Sequence, residues 1–425
     1  MIDINLIREK PEYVKEALKK KLWDVDFTEF LSWDVQKREL MQIVESNKAE
    51  MNKLSASVPA AKKAGEDVSA IFKQVKEIAA KNAGYEADLK ALDAKIQEFI
   101  AALPNIPDDD LLGGGKENNK VIKTVGKKPE FSFKFKNHVE LAESLGLVDY
   151  DRGAKIAGHG AWVYTNLGAR LEWALLNFFI SEHLKDGYEF ILPPHLLNEE
   201  SGYVAGQFPK FREDVFWLDG IEPQRFLLPT AETALVNFHR NEIMDETELP
   251  KKYFAYTPCY RREAGSYRTE ERGMIRGYQF DKVEMVQYTL PENSDAAFEE
   301  LVNKAASLVE KLGLHFQISK LAAGDISHSM ARTYDIEVYL PSIGIYKEVS
   351  SASNARDYQA RRGMIRFKTK EGRKGYVHTL NASGLATSRI FPAILEQYQQ
   401  EDGSVLVPEV LQPFMGGIKV LKPIK

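Results

Sequence analysis

Residues 259–286, CYRREAGSYRTEERGMIRGYQFDKVEMV, read as two β-strands around a charged loop. Side chains alternate faces along a strand, so residues two apart share a face. Arg261 and Glu263 then point the same way on the first strand, and Arg276, Tyr278, Phe280, Lys282 and Glu284 share a face on the second. One surface thus carries arginines, an aromatic platform and carboxylates. A guanidinium forks a phosphate, a ring stacks on a base and a carboxylate accepts from an amine. That set suits an anionic, aromatic ligand such as ATP. The same alternation also describes an amphipathic hairpin with a solvated charged face, and the stretch alone leaves both readings open.

Composition bounds the rest. A length of 425 residues and a mass of 48.2 kDa predict two or three domains. A hydrophobic content of 44% suffices for a large core, and a net charge of −5 confines any nucleic-acid site to a local patch. The single cysteine, Cys259, excludes an internal disulfide and reads as a small apolar strand residue. With no CxxC or HExxH spacing and scattered histidines, no protein-bound zinc is expected. The start, MIDINLIREKPEYV, lacks a signal-peptide core, and no apolar run reaches about 18 residues. A soluble, cytoplasmic protein without a membrane partner is the expectation. No GxGxxG or GxxxxGK[ST] follows a strand, which disfavours a Rossmann or P-loop site.

Residues 1–26 suggest a short helical element. From Phe27 to about Val58 there is no Pro or Gly, and Leu31, Val35, Leu40, Val44, Met51 and Leu54 recur at helical spacing. A break is predicted at SVPAAKKAGED. A second run carries Ile71, Val75, Ile78, Tyr85, Leu89, Leu92, Ile96, Phe99 and Leu103. Two long amphipathic helices joined by a short break predict an antiparallel coiled-coil hairpin over about 27–103. Over 27–103 there are 11 Lys+Arg and 12 Asp+Glu, but over 48–81 the count is 7 against 4. A basic distal half suits a phosphate backbone, with Lys48, Lys53, Lys62, Lys63, Lys73 and Lys76 as candidate contacts. Ordinary solvation of a coiled coil would look the same.

The segment PNIPDDDLLGGGKENN (104–119) reads as a linker, dividing a helical arm, 1–110, from a second domain, 111–425. Beyond it lie a helix at about 166–185, β-rich runs such as KYFAYTPCY, DIEVYL and IYKEVSS, and helices near 295–312 and 386–400. Strands without regular βαβ alternation predict an α+β domain, a largely antiparallel sheet flanked by helices.

The opening stretch resembles motif 2 of the class II aminoacyl-tRNA synthetases, Arg-x-Glu, loop, Arg-x-x-x-Phe-x-x-x-Glu. GYEFILPPHLL (187–197) is similar to motif 1, a dimer-interface element, and HTLNASGLATSRIFPAILEQYQQEDGSVLVPEVLQPFMGG (378–417), with Arg389 in the first helical turns, is similar to motif 3. The triplet Thr230-Ala231-Glu232, the segment YKEVSSASNARDYQARR (346–362), TLNASGLA (379–386) and the tail DGSVLVPEVLQPFMGG narrow the resemblance to the bacterial-type seryl-tRNA synthetases, over essentially the whole chain.

The resemblance implies a fold, an activity and roles. Seryl enzymes form seryl-adenylate from ATP and serine, then charge tRNA(Ser) and, in places, tRNA(Sec). They grip the long variable arm with the hairpin, bind the acceptor end, dimerise through motif 1 and carry no C-terminal anticodon-binding domain. ATP would be held by Arg261, Arg262, Glu263, Phe280, Glu348, Val349, Ser350, Ser351 and Arg389. Within that set Arg261 takes the α-phosphate, Glu263 the adenine amine, Phe280 the ring and Arg389 the far phosphates. Glu348 and Ser351 would ligate Mg²⁺. Serine would sit among Thr230, Ala231, Glu232, Arg261, Glu284, Asn381 and Ser383, with Arg261 and Arg389 catalytic. Three segments depart from the family pattern: GSYRTEERG (265–273) where GSAGRDTRG is usual, NASGLATSR (381–389) where NGSGLAVGR is usual, and SSASN (350–354) where SSCSN is usual. Ala382 and Ser388 thus replace glycines. A paralogue that has lost catalysis and only binds RNA or a protein is the alternative. A ligase that loads a carrier protein would lack the arm.

Overall fold

The computed structural model describes residues 1–263 and 273–424. The altered loop 265–273 therefore lies, apart from Gly273, outside the described residues. The chain divides into two compact units, residues 2–16 with 24–103, and residue 1 with 17–23 and 104–425.

The first unit is the helical hairpin. The N-terminal element is two short helices, α1 (Ile4–Glu9) and α2 (Pro11–Lys20), rather than one. The hairpin is α3 (Thr28–Lys63) and α4 (Ser69–Ala102). At 1.5 Å per residue each is roughly 50 Å long. The break expected within SVPAAKKAGED falls in its second half, because α3 runs through Pro59 for four more residues. Proline removes one intrahelical bond, but Ala60, Ala61, Lys62 and Lys63 are strong helix formers and Ala61 is buried. The stop comes at Gly65, whose φ of 75° lets Glu66 N–H reach Ala61 O at 3.0 Å and Gly65 N–H reach Lys62 O at 3.2 Å. Asp67 then accepts from Ser69 N–H at 2.9 Å and opens α4.

Every apolar residue expected on α4 is at least partly buried. On α3, Val35 is exposed and Asp34 takes the inner position, held by Arg8 at 2.6 Å. Phe30 stacks on Phe99 at 5.2 Å near one end of the seam. Midway, Asn47 donates to Asn82 across the seam at 3.2 Å.

The second unit is built on an eight-stranded sheet. Its strands are β1 (Lys120–Val125), β2 (Glu189–Phe190), β3 (Lys251–Tyr260), β4 (Gln279–Thr289), β5 (Phe316–Lys320), β6 (Arg332–Leu340), β7 (Ile345–Arg356) and β8 (His378–Ala386). The order is β1-β5-β6-β7-β8-β4-β3-β2, antiparallel except for the β2–β3 pair. The helices concerned here are α5 (Asn166–Lys185), α6 (Glu232–Leu235), α7 (Ser294–Lys311), α8 (Tyr358–Gly363) and α9 (Thr387–Gln397).

One face of the sheet is dry. Val283 and Met285 of β4, Ile336 and Val338 of β6, and Leu380 and Ala382 of β8 share a core with Leu171, Leu175 and Phe178 of α5, Leu301 of α7 and Phe391 of α9. Alternation sends the intervening residues Lys282, Glu284, Asn381 and Ser383 to the other face, where they line a cavity. Among the described residues no helix is long and apolar enough to cross a membrane.

Candidate active site

Two β-bulges set the site. Between β6 and β7 the pairing passes from Ile336↔Ser350 to Glu337↔Glu348, so Val349 is an extra residue. Residues three apart on a regular strand face opposite ways. Here the extra residue returns Glu348 to the side of Ser351, and both line the same cavity. Val349 packs in the core and Ser350 turns its hydroxyl to Ser383 O at 2.6 Å. Between β4 and β8 the pairing passes from Lys282↔Ala386 to Glu284↔Ser383, which adds one residue to β8 at 384–385. A Cβ on Gly384 would lie 2.3 Å from the His183 imidazole, whose Nε2 is 2.9 Å from Gly384 O, so that bulge admits only glycine.

The cavity measures about 700 Å³ and gathers Thr230, Glu232, Arg261, Lys282, Glu284, Glu348, Ser351, Asn381, Ser383 and Arg389. These residues come from five stretches of chain. At one end two carboxylates converge. Asn381 Nδ2 donates to Glu284 Oε1 at 3.0 Å and to Glu232 Oε2 at 3.3 Å. Ser383 Oγ donates to Glu284 Oε2 at 3.3 Å. Gln359, from α8, donates to Glu232 Oε1 at 2.8 Å and accepts from Thr379 Oγ1 at 2.6 Å. Burial, and next the neighbouring Glu284 charge, push Glu232 up to about 7, against the pull of Gln359, Lys282 and Arg261. Ala231 contributes only backbone here, since its methyl sits in an apolar cluster.

Arg261 and Arg389 line the same cavity. The Arg261 guanidinium lies 5.1 Å from the centre of the Phe280 ring, and its Nε donates to Pro229 O at 3.3 Å. Arg389 Nη1 donates to Glu348 O at 2.8 Å and pairs with the Glu348 carboxylate at 3.3 Å. A small adjoining pocket of about 70 Å³ is lined by Arg261, Glu263, Arg276, Phe280, Ser388 and Arg389, among others. Ser351 Oγ donates to Asp335 Oδ1 at 2.7 Å, and burial together with the nearby Glu348 raises Asp335 well above the usual carboxylate range.

The structure corrects the alternation reading in two places, and the ATP role implied for Arg262 in a third. β3 ends at Tyr260, so Arg261 and Glu263 lie beyond it; Glu263 has a φ of 50° and pairs with Arg276 at 3.2 Å. β4 starts at Gln279, so Tyr278 escapes the shared face and lines a separate cavity of about 740 Å³. Arg262 turns away from the cleft to Glu213 O at 3.0 Å. Cys259 is buried, and burial pushes its thiol up, as an inert strand residue requires. Of the two altered glycine positions, Ala382 faces the core, away from the cleft, and Ser388 lines the small pocket. Ala352, in the third altered segment, is also in the core. Sequence reasoning missed Gln359, Asp335 and the pairing of Lys282. The first two lie inside or beside quoted segments, but nothing local marks them.

A largely antiparallel sheet with an arginine just past one strand, an aromatic ring and a carboxylate on its neighbour, and a second arginine on the helix after β8 is a class II aminoacyl-tRNA synthetase core. Residues 216–398 match the family described as the tRNA synthetase class II core domain (G, H, P, S and T), and residues 1–107 match the seryl-tRNA synthetase N-terminal domain. Serine–tRNA ligase 2 of Clostridium acetobutylicum is 60% identical over 99% of this chain and the whole of that one. The serine–tRNA ligase of Thermodesulfovibrio yellowstonii is 44% identical over 98% of this chain and 99% of that one. The crystal structure of seryl-tRNA synthetase from Pyrococcus horikoshii complexed with ATP superposes with a TM-score of 0.92 at 33% identity, covering both chains completely. The chain belongs to the seryl-tRNA synthetase family.

Proposed function

We propose that the protein joins L-serine to ATP, releases pyrophosphate, and passes serine from the adenylate to a terminal ribose hydroxyl of tRNA(Ser), with tRNA(Sec) as a further acceptor. The observation that carries this is a cavity that gathers the Glu232 and Glu284 carboxylates with Arg261 and Arg389. A zwitterionic amino acid with a hydroxyl needs an anion for its ammonium, a cation for its carboxylate and hydrogen-bonding partners for its hydroxyl. Glu232 serves the ammonium, Arg261 the carboxylate and α-phosphate, and Glu284, Asn381 and Ser383 the side chain. Such a pocket rejects alanine because its own polar groups would be left unpaired. Phe280 stacks on adenine, Glu263 accepts from its amine, and Arg389 holds the far phosphates. The backbone at 348–351 flanks the phosphates.

A serine carboxylate is ionised at neutral pH, so adenylation needs no general base. The arginines align the attack on the α-phosphorus and neutralise the charge that develops there. Mg²⁺ fits the oxygen donors Glu348 and Ser351, beside an Asp335 that burial and Glu348 force toward its neutral form; it would neutralise phosphate charge. Among the described residues no three His, Cys, Asp or Glu are grouped to hold a metal, so the ion would depend on ATP for its remaining ligands.

Residues 1–110 form the tRNA-binding arm and 111–425 the catalytic domain in this reading. Lys53, Lys62, Lys63, Lys73 and Lys76 are exposed and suit the backbone of the long variable arm; Lys48 also pairs with Glu86 at 2.8 Å. A homodimer through 187–197 is supported by exposed Trp173, Leu192 and Leu196 on and after α5. The cytoplasm is where such an enzyme works.

The test is amino-acid-dependent ATP–pyrophosphate exchange with serine, threonine, cysteine and alanine. Strong exchange with serine supports the reading. No exchange with serine, in a folded protein that still binds tRNA, overturns it in favour of the non-catalytic paralogue.

A further inference from the structure

Lys282 is nearly fully buried in the serine end of the cavity, only 6% exposed. Its ammonium contacts Glu284 Oε2 at 2.5 Å and donates to Thr230 Oγ1 at 2.7 Å. These partners are two of the groups assigned above to serine. Two carboxylates, Glu232 and Glu284, share the Asn381 amide, so an incoming ammonium could pair with either. Lys282 distinguishes them. Among the described residues it pairs directly with Glu284, whereas it and Arg261 act on Glu232 from farther away.

We infer that Lys282 is a specificity-determining residue that occupies Glu284, leaving Glu232 as the single seat for the substrate's α-ammonium and Glu284 as a hydrogen-bond acceptor for a neutral side chain. This inference rests on the serine pocket proposed above. Its physical content is charge balance. Glu284 beside Lys282 is neutralised as a pair, and a neutral hydroxyl can be accepted there without cost to either. A second cation at the same place would meet the Lys282 charge at hydrogen-bonding range in a site with little water. The pocket therefore excludes a side chain shaped like serine's but positively charged. This is repulsion built against a competitor, added to the attraction for serine. Without Lys282, Glu284 would have no buried cation, and the same place would favour an ammonium over a hydroxyl.

L-2,3-diaminopropionate is the probe, because it replaces the serine hydroxyl with an amine of nearly the same size. Exchange and calorimetric binding are measured with serine and with diaminopropionate for the native protein and for Lys282→Met and Lys282→Arg. Comparing variant with native cancels the titration of the probe's own amines. In Lys282→Met, kcat/KM for serine is expected to fall about 100-fold, while the ratio of diaminopropionate to serine rises at least about tenfold. Lys282→Arg keeps the charge and is expected to keep the native ratio. A Lys282→Met protein with the native ratio overturns the inference, since a residue that only packs would lower both substrates together. Should Lys282→Met melt early, Lys282→Gln, which can still donate to Thr230 without a charge, carries the same comparison. Serine exchange by the native protein reports the function itself, and the binding ratio judges Lys282 even where exchange is absent.

Discussion

The hairpin and the cleft are built by opposite rules. In α3 and α4 every turn repeats the last, and one period sets which residues meet. Ile71, Val75, Ile78, Tyr85, Leu89, Leu92, Ile96, Phe99 and Leu103 keep alternating steps of four and three, with Asn82 filling the one gap. In the cleft the decisive positions are those where period fails, at Val349 and at 384–385. A repeat makes a long surface suited to shape and charge. An interruption makes one place unlike any other, as chemistry needs. If that contrast is right, damage to the cleft should stop adenylation whatever the tRNA, and damage to the arm should spare adenylation entirely.

The largest effect tests the first half. Arg261→Ala should lower serine-dependent pyrophosphate exchange by about 10²–10³-fold, the usual cost of removing one donor aimed at developing charge. The fold should survive, since Arg261 lies past the end of β3 and, among the described residues, its guanidinium bonds a loop carbonyl and faces the Phe280 ring. Near-native exchange would remove Arg261 from the site.

The second half is tested on the arm. Replacing Lys62, Lys63, Lys73 and Lys76 by alanine should raise the tRNA KM by about 10- to 100-fold near physiological salt and flatten its salt dependence by about 0.7–0.9 per lost phosphate contact. Pyrophosphate exchange without tRNA should not change. An unaltered salt slope would mean that these lysines are merely solvated.

The cleft also has a proton signature that the arm cannot imitate. Glu232, pushed up to about 7 by burial and by Glu284, is partly protonated near neutrality when the pocket is free. Only its ionised form can pair with the serine ammonium. Serine binding therefore lowers this pKa and releases a proton, and the serine KM should rise about tenfold per pH unit as pH falls below 7. Glu232→Gln should flatten that dependence while raising KM at every pH. A serine KM constant from pH 6 to 8 in the native enzyme, at saturating ATP, would place the ammonium elsewhere.

Much of this molecule was legible in its residues, for reasons the contrast explains. The two helices and the α+β sheet follow from periods and local spacing. Periods do not announce their own interruptions, so the bulge that returns Glu348 to the side of Ser351 could not be read from alternation. Alternation extended too far made Tyr278 a member of the cleft. Gln359 stands 127 residues from Glu232, and only the fold brings its amide to that carboxylate.

The smallest expected effect probes whether the arm is as purely periodic as it looks. Asn47 and Asn82 meet across the seam, at a place where the pattern asks for apolar residues. A polar residue at one inner position costs stability and fixes register, because a slipped seam would bury it without a partner. Replacing both, as Asn47→Leu with Asn82→Leu, should therefore stabilise the hairpin by about 1 kcal/mol, read as a rise in its thermal midpoint. It should also loosen the register, read as a broader spread of distances between spin labels on α3 and α4. Replacing Asn82 alone should destabilise, since Asn47 would keep an unmet amide. If the double variant were instead less stable, the asparagine pair would be a net contributor. The arm would then share with the cleft a dependence on one specific contact.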